Sequence, residues 1–153
     1  MIFTIQFCTL FLLMLVNGVF WGPWFALHRS LSIFNASEFL KIVKTLAANM
    51  GKTMAVMMPL CILVTLGSVF VYPEKDTIGF YLCILSLIFI LGSLIITMAV
   101  ELPIVNEIRQ CTVETLPANW EAKRDRWVKF HGYRIIAGML SFAFFAFSIL
   151  FLV

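Results

Sequence analysis

The sequence predicts an all-α membrane protein whose four transmembrane helices form one bundle. Of its 153 residues, 62% are hydrophobic and 12% are charged, and the mean hydropathy is +1.02. Its apolar runs of about 20 residues are long enough to cross a bilayer core about 30 Å thick. These runs do not alternate between apolar and polar residues, which argues against a transmembrane β-barrel. The length allows a single transmembrane domain covering residues 1–153.

The apolar runs place the four spans at residues 2–27, 53–72, 77–100 and 133–153. No cationic segment precedes the first run, so we expect this helix to be retained rather than removed as a signal peptide. A tight turn at residues 73–76 joins the second span to the third.

Residues 30–50 connect the first two spans and predict an amphipathic helix. Apolar side chains recur there at helical spacing from residue 39 onward, and the charged residues lie largely off that face. We expect this helix either to lie on the membrane surface or to extend the second span. Ser37 is its preferred N-cap, with Asn35 and Ala36 as rival starts.

Residues 101–132 connect the last two spans and form a polar cytosolic segment. The helix of the third span can continue past Pro103 as far as Arg109. A turn at residues 115–119 then leads into a new helix that begins at Trp120 and runs into the last span.

The basic residues predict the orientation of the bundle. Ten of the eleven Lys and Arg residues lie in or beside the first and third connections, and Lys75 lies in the second. The positive-inside rule therefore puts the first and third connections in the cytosol and both termini outside it. We expect a multi-pass protein embedded in the lipid bilayer of a bacterial inner membrane.

This topology brings three side chains that can carry protons to one membrane depth. His28 ends the first span, Glu101 ends the third and His131 begins the fourth, all on the cytosolic side. Side chains of facing helices can converge inside a four-helix bundle. Ionisable residues at this depth are candidate functional groups when they face the bundle interior.

The last helix carries a set of polar side chains on one face. Arg124, Trp127, His131 and Arg134 are spaced i, i+3, i+7 and i+10. In one interpretation His131 acts as a general base. In the other the residues form an interfacial ladder, in which Arg side chains bind lipid phosphates and Trp lies in the aromatic belt.

The sequence favours a protein without metal or cofactor. Two His and one carboxylate match the ligands of a non-haem iron site, and two His can ligate haem, but neither HxxxH nor ExxH spacing occurs. The four Cys are scattered, and we interpret them as free packing residues. A net charge of +3 does not indicate a nucleic-acid partner.

Motifs in the polar half resemble those of a family of small membrane proteins. The patterns P-x-x-N, P-x-x-W and R-x-R-W-x-x-x-H-x-x-R are matched in order by Pro103–Asn106, Pro117–Trp120 and Arg124–Arg134. Residues 18–31 and 49–59 resemble the first half of the same family. It is a domain of unknown function that includes the anthrone oxygenases of polyketide pathways. The resemblance covers most of the chain, and its most specific part is residues 101–134.

The resemblance implies a four-helix transmembrane bundle and, for some members, oxygenation of an aromatic substrate without an obvious cofactor. At one position the chain departs from the pattern, because many members have Asn where this chain has Glu101. The family motif carries onto Asn106, Trp120, Arg124, Trp127, His131 and Arg134.

The favoured function is an oxygenase-like enzyme that binds a hydrophobic aromatic or quinone-like molecule at the cytosolic end of the bundle. His131 is predicted to be the base, and Arg134 and Asn106 to stabilise developing oxyanion charge. Glu101 and His28 are predicted to line the entrance or relay protons. The predicted substrate-binding residues are Trp127, Arg124, His28, Trp24 and Trp120.

Two other classes of protein fit the same pattern. One is a non-enzymatic membrane subunit or small transporter that binds lipid or a partner protein. The other is an enzyme similar to the microsomal glutathione transferases, which also have four spans and form trimers. A cavity shared by His131, Arg134 and Glu101 favours the oxygenase, whereas side chains pointing into lipid headgroups favour the subunit. The sequence leaves a homo-oligomer open.

Overall fold

The computed structural model describes residues 2–151. Of these residues 86% are helical and none is in a strand, which confirms the predicted all-α four-helix bundle. A 3₁₀ helix at His28–Ile33 follows α1, and a π-helical turn at Thr97–Glu101 joins α3 to α4. The α-helices are α1 Ile2–Ala26, α2 Ala36–Phe70, α3 Ile78–Ile96, α4 Leu102–Gln110 and α5 Trp120–Ile149.

Four helical units are long and apolar enough to cross a membrane. They make this an integral multi-pass membrane protein, and they cover Ile2–Ile33, Ala36–Phe70, Ile78–Gln110 and Trp120–Ile149. Large apolar side chains lie exposed along all four, as expected of helices that face lipid. Each unit is longer than its predicted span because the polar connections are themselves largely helical.

The transmembrane half of the bundle is held by apolar packing and by small polar side chains. Helix α5 packs against both α1 and α3, while α2 packs against α1 and α3. Ser86 and Ser141 share a hydrogen bond of 3.1 Å between α3 and α5, and Thr9 and Ser68 share one of 2.8 Å between α1 and α2. Such pairs stabilise helix contacts in lipid because their polar atoms find few other partners there.

The polar extensions of the helices form a second packed layer at the basic end of the bundle. Its buried core is separate from the transmembrane core and consists of Leu31, Phe39, Leu40, Val43, Ile104, Ile108 and Trp127. Two contacts tie the rim of this layer together. Lys44 donates to the carbonyl of Cys111 at 2.9 Å, and Lys123 pairs with Glu107.

Helix α2 is continuous from the basic end to the opposite end of the bundle. The predicted amphipathic segment is therefore an extension of the second span, one of the two arrangements left open. Asn35 rather than Ser37 is the N-cap, so the preferred start was wrong. The Asn35 side chain accepts from the backbone N–H of Glu38, whose carboxylate accepts from the Asn35 N–H in return. This capping box satisfies two helix-end donors at once.

The π-helical turn lies at the junction between α3 and α4, where Pro103 follows. The N–H of Leu102 donates to the carbonyl of Thr97, five residues earlier, instead of four as in an α-helix. Proline has no N–H to continue the α-helical pattern, so the backbone is free to take the wider turn. The turn places Glu101 in the bundle interior, where it is 3% exposed.

Close packing at Gly79 gives a test of the fold. A Cβ at this position lies 1.9 Å from the Tyr72 hydroxyl and 2.8 Å from the Phe151 Cβ. Because Tyr72 donates to the carbonyl of Ser148 at 2.9 Å, it cannot move without losing that bond. We expect Gly79→Ala to lower the free energy of unfolding by about 1–3 kcal/mol, seen as a lower melting temperature in detergent.

Gly92→Ala is the matched control for this prediction. Gly92 is also helical, but a Cβ there meets no atom within 4 Å. Alanine is the better helix former, so this variant should melt at the same temperature or higher. Equal melting temperatures of Gly79→Ala and Gly92→Ala would contradict the close contact between Tyr72 and Gly79 of α3.

Candidate functional site

A cavity of about 410 Å³ lies between the two packed layers. Most of its wall is apolar, and its polar side chains are gathered at one end. Small-molecule pockets of proteins typically have volumes of about 300–1,000 Å³ and combine apolar walls with a few polar groups. The polar side chains in its wall are His28, Thr97, Glu101, Trp127, His131 and Arg134.

Glu101 forms the centre of the polar end. One carboxylate oxygen lies 3.1 Å from Nδ1 of His131, and the other pairs with Arg134. The side chains of Glu101 and His131 are 4% and 1% exposed, and that of Arg134 is 14% exposed. A buried carboxylate is stable in such surroundings only when it has a cationic partner and hydrogen bonds, and Arg134 provides the charge.

The contacts of His131 locate its protons. Its Nε2 lies 3.1 Å from the carbonyl oxygen of Phe20, and a carbonyl can only accept, so Nε2 carries a hydrogen. Its Nδ1 lies 2.8 Å from Nη2 of Arg134 and 3.1 Å from Glu101. A neutral ring accepts from Arg134 and a protonated ring donates to Glu101. Both ring nitrogens are engaged in either state.

His28 differs from His131 in the hydrogen bonding of its ring nitrogens. It is 3% exposed and lines the cavity, yet neither ring nitrogen meets a hydrogen-bond partner within residues 2–151. The ring packs edge-on against His131, with centroids 4.2 Å apart, and against Trp127, with centroids 4.6 Å apart. These contacts hold the imidazole in place without using its nitrogens. Buried polar atoms are rarely left unpaired, so this ring has capacity for a ligand.

One N–H donor of Arg134 also lacks a partner among the described residues. Its Nη1 donates to Thr97 at 3.3 Å, and its guanidinium lies over the ring of Phe20 at 4.4 Å. Its Nε is buried and finds no hydrogen-bond partner in the described chain. The polar end of the cavity therefore holds three buried nitrogen atoms without a hydrogen-bond partner among the described residues, two on His28 and one on Arg134.

The two tryptophans of this region play different parts. Trp127 lines the cavity, where its ring contacts His28. Trp24 lies behind His131, with ring centroids 5.9 Å apart, and is not in the cavity wall formed by the described residues. Gly132 makes this possible, because a Cβ there would lie only 3.1 Å from the Trp24 ring. Trp24 thus supports the site from outside.

Three predicted site residues lie in the basic layer and outside the cavity wall that the described residues form, namely Arg124, Trp120 and Asn106. Arg124 is buried and stacks on Trp120 with 5.3 Å between guanidinium and ring, and it donates to Asp125 at 2.9 Å. Asn106 is exposed on α4. The structure therefore brings together five of the nine predicted residues, namely Glu101, His131, Arg134, His28 and Trp127.

Some cavity residues were absent from the sequence prediction. Thr97 lies four residues before Glu101, a helical spacing that could have indicated their common side. Met50, Met54 and Met58 also line the cavity and repeat at the same spacing. The contact between His131 and the Phe20 carbonyl had no sequence signal, because every residue has a carbonyl.

The side chains that could ligate a metal are spread over the described structure. No group of three or more His, Cys, Asp or Glu among residues 2–151 is arranged to hold a metal ion.

The pair between Glu101 and Arg134 gives a stability test. Glu101→Gln leaves Arg134 buried without a counter-charge, so we expect a loss of about 3–5 kcal/mol and a clearly lower melting temperature. Glu107→Gln is the control, because its pair with Lys123 lies at the surface and is worth at most about 1 kcal/mol. Restored melting in Glu101→Gln/Arg134→Met would identify the unpaired charge as the cause, whereas unchanged melting of the single variant would contradict the pairing.

Comparison with known proteins identifies the family of this chain. The family model described as anthrone oxygenase matches residues 45–144, about two thirds of the chain. No curated protein and no solved structure matches the chain. The matched region includes α2 from residue 45 onward, the π-helical turn and the Arg-Trp-His-Arg face of α5. The chain belongs to the anthrone oxygenase family.

Proposed function

We propose that this protein oxygenates a hydrophobic aromatic molecule of the anthrone type inside the cavity, using dioxygen and no resident cofactor. The observation that carries the proposal is the pairing of an apolar pocket with unpaired nitrogens at its polar end, those of His28 and Arg134. The family supports the reaction class, and the cavity supports a flat, largely apolar ligand.

His28 is the base in this proposal. The sequence interpretation gave that role to His131, but both nitrogens of His131 are already bonded, to Phe20 on one side and to Arg134 or Glu101 on the other. A neutral imidazole has a lone pair on one nitrogen, and the His28 ring is held in the cavity without using either. Both nitrogens are buried in this conformation, so in the proposal a small rotation of the ring turns the lone pair toward the cavity, where it accepts a proton from the ligand.

Arg134 stabilises the charge that this proton transfer creates. When a base removes a proton from the ring CH₂ of an anthrone, the electron pair moves onto the carbonyl oxygen. The resulting oxyanion needs a donor that is already in place. The Nε–H of Arg134 is unpaired in the described structure, and the cation itself is held by Glu101 and Thr97. Trp127 packs His28 in position and presents its ring to the cavity.

The remaining chemistry balances with dioxygen as oxidant. The electron-rich carbanion reduces O₂ and forms a C–O bond at the former CH₂ carbon, giving a peroxide that takes up a proton. Loss of the second hydrogen from that carbon then breaks the O–O bond and releases water. One anthrone and one O₂ give one anthraquinone and one water. The substrate loses two hydrogens and gains one oxygen, and the other oxygen leaves in the water.

A non-enzymatic subunit or transporter is the second candidate. It predicts that the polar residues point to lipid headgroups or a partner surface. Instead, Glu101 and His131 are almost fully buried and share one cavity with Arg134. A bound ligand that is never converted remains compatible with this geometry, so turnover is what separates the two candidates.

The orientation proposed for the bundle follows from its charges. The layer that contains Lys41, Lys44, Arg109 and Lys123 is the basic end, and we assign it to the cytosol of a bacterial inner membrane. Both termini then lie on the opposite side. The polar end of the cavity is adjacent to the basic layer, which places the reaction near the cytosolic leaflet.

Substitution of His28 tests the proposed role. His28→Asn keeps a hydrogen-bonding side chain but removes the base. We expect its kcat for anthrone oxidation to fall by about 10²–10⁴-fold, the usual contribution of a general base. Anthraquinone absorbance and O₂ uptake are measured together in liposomes. Asn106→Ala, at an exposed position of α4, should stay within about twofold of the wild type.

Two results would contradict the proposal in different ways. Absence of anthrone-dependent O₂ uptake by the folded wild-type protein would favour the non-enzymatic candidate. Full activity of His28→Asn beside an inactive, folded His131→Asn would return the role of base to His131.

A further inference from the structure

The cavity wall has an exposed rim on two facing helical units. On α2, Gly51, Ala55 and Pro59 line the cavity and are exposed, and their spacing of four residues puts them on one stripe. On the opposite side, Met98 and Leu102 line the cavity and are exposed, again four residues apart. We call the gap between these two stripes the mouth.

The mouth lies in the side of the bundle rather than at its end. Both stripes belong to helical units that cross the membrane, Ala36–Phe70 and Ile78–Gln110. All five side chains of the mouth are apolar or absent. The far wall of the cavity, by contrast, is closed by buried residues such as Phe20 and Trp127. Ala55, Pro59 and Met98 lie within the predicted spans 53–72 and 77–100, whereas Gly51 and Leu102 lie two residues beyond them. The mouth therefore opens at the inner edge of the hydrocarbon region, where its lining favours contact with lipid.

From this we infer that the aromatic substrate enters the cavity sideways, from the lipid phase, through the mouth between α2 and the α3–α4 unit. The inference rests on the proposed function for the identity of the substrate. It adds the route, and it restricts the substrate to molecules that dissolve in the bilayer. The ring system passes between the two apolar stripes, and its polar oxygen reaches His28 and Arg134 at the inner end.

The polar end of the cavity favours this occupant over a lipid tail. An acyl chain fits an apolar gap, but it has no atom that can bond to the nitrogens of His28. A molecule with an apolar ring and one or two oxygens matches both the mouth and the inner end. The three methionines along the α2 wall suit a flat, variable ligand, because their unbranched side chains adapt to its shape.

Spin labels test where the mouth lies. Labels are attached to Ala55→Cys and Met98→Cys in a protein that also carries Cys8→Ser and Cys111→Ser, which removes the two cysteines that are not buried. In liposomes, both labels should collide more often with oxygen than with a water-soluble nickel chelate. Val113→Cys, exposed in the polar connection before α5, should show the reverse. Greater collision with the chelate at positions 55 and 98 would overturn the inference.

A second measurement tests entry without requiring turnover. Anthraquinone, the product, is added to the liposomes and should lower the oxygen collision of the label at position 98 by at least twofold. This readout does not depend on oxygenation, so a protein that fails to oxidise anthrone can still confirm or contradict the route. Spin–spin broadening between labelled copies would put a second copy over the mouth and overturn the inference.

Blocking the mouth completes the test. Ala55→Trp narrows the gap from α2, and Leu102→Trp narrows it from the α3–α4 unit. Two variants are used so that the test still works if one of them does not fold. Each should lower kcat/KM for anthrone in liposomes by at least tenfold and abolish the effect of anthraquinone on the label. Val56→Trp is the matched control, because Val56 is 68% exposed and is not part of the lining. Unchanged kcat/KM in both blocking variants, beside an active wild type, would overturn the route.

Discussion

The structure depends on one buried charge pair, between Glu101 and Arg134. A carboxylate inside a membrane protein is costly unless a cation and hydrogen bonds compensate it, and Arg134 and His131 do so here. The π-helical turn aims Glu101 inward, and the helical spacing of α5 brings His131 and Arg134 to meet it. Once this contact is made, α3 and α5 are fixed in rotation and depth relative to each other, and the cavity next to them acquires its polar end.

The different contacts of the two histidines follow from this charge pair. His131 is part of the charge network, and its contact with the Phe20 carbonyl ties α1 to α5. His28 enters from the 3₁₀ helix after α1 and touches the network only through ring edges. One histidine therefore has partners for both ring nitrogens and the other has none among the described residues, although the two rings are in contact. Sequence motifs alone would rank them in the opposite order, since His131 lies in the most specific motif.

Much of the architecture could be predicted from the sequence, because a bilayer imposes strict lengths on apolar runs. The four spans, the helix from Trp120 and the convergence of His28, Glu101 and His131 all follow from span length and from the distribution of Lys and Arg. The N-cap of α2 was missed because Asn35 and Ser37 have similar capping propensity, and only the reciprocal bond with Glu38 decides between them. The positions of Asn106 and Trp120 outside the cavity wall could not be predicted, since a motif fixes spacing along the chain but not which face of a helix meets the cavity.

The continuity of α2 has a mechanical consequence. This helix has 35 residues and a length of about 50 Å. Its first half is embedded in the basic layer through Phe39, Leu40 and Val43, and its second half carries the stripe that borders the cavity. No loop separates the two halves, so a tilt of the part outside the apolar region displaces Ala55 and Pro59 against the α3–α4 unit. The width of the lateral gap is thus set by the packing of the basic layer, which holds the first half of α2 against Ile104 and Ile108 of the α3–α4 unit.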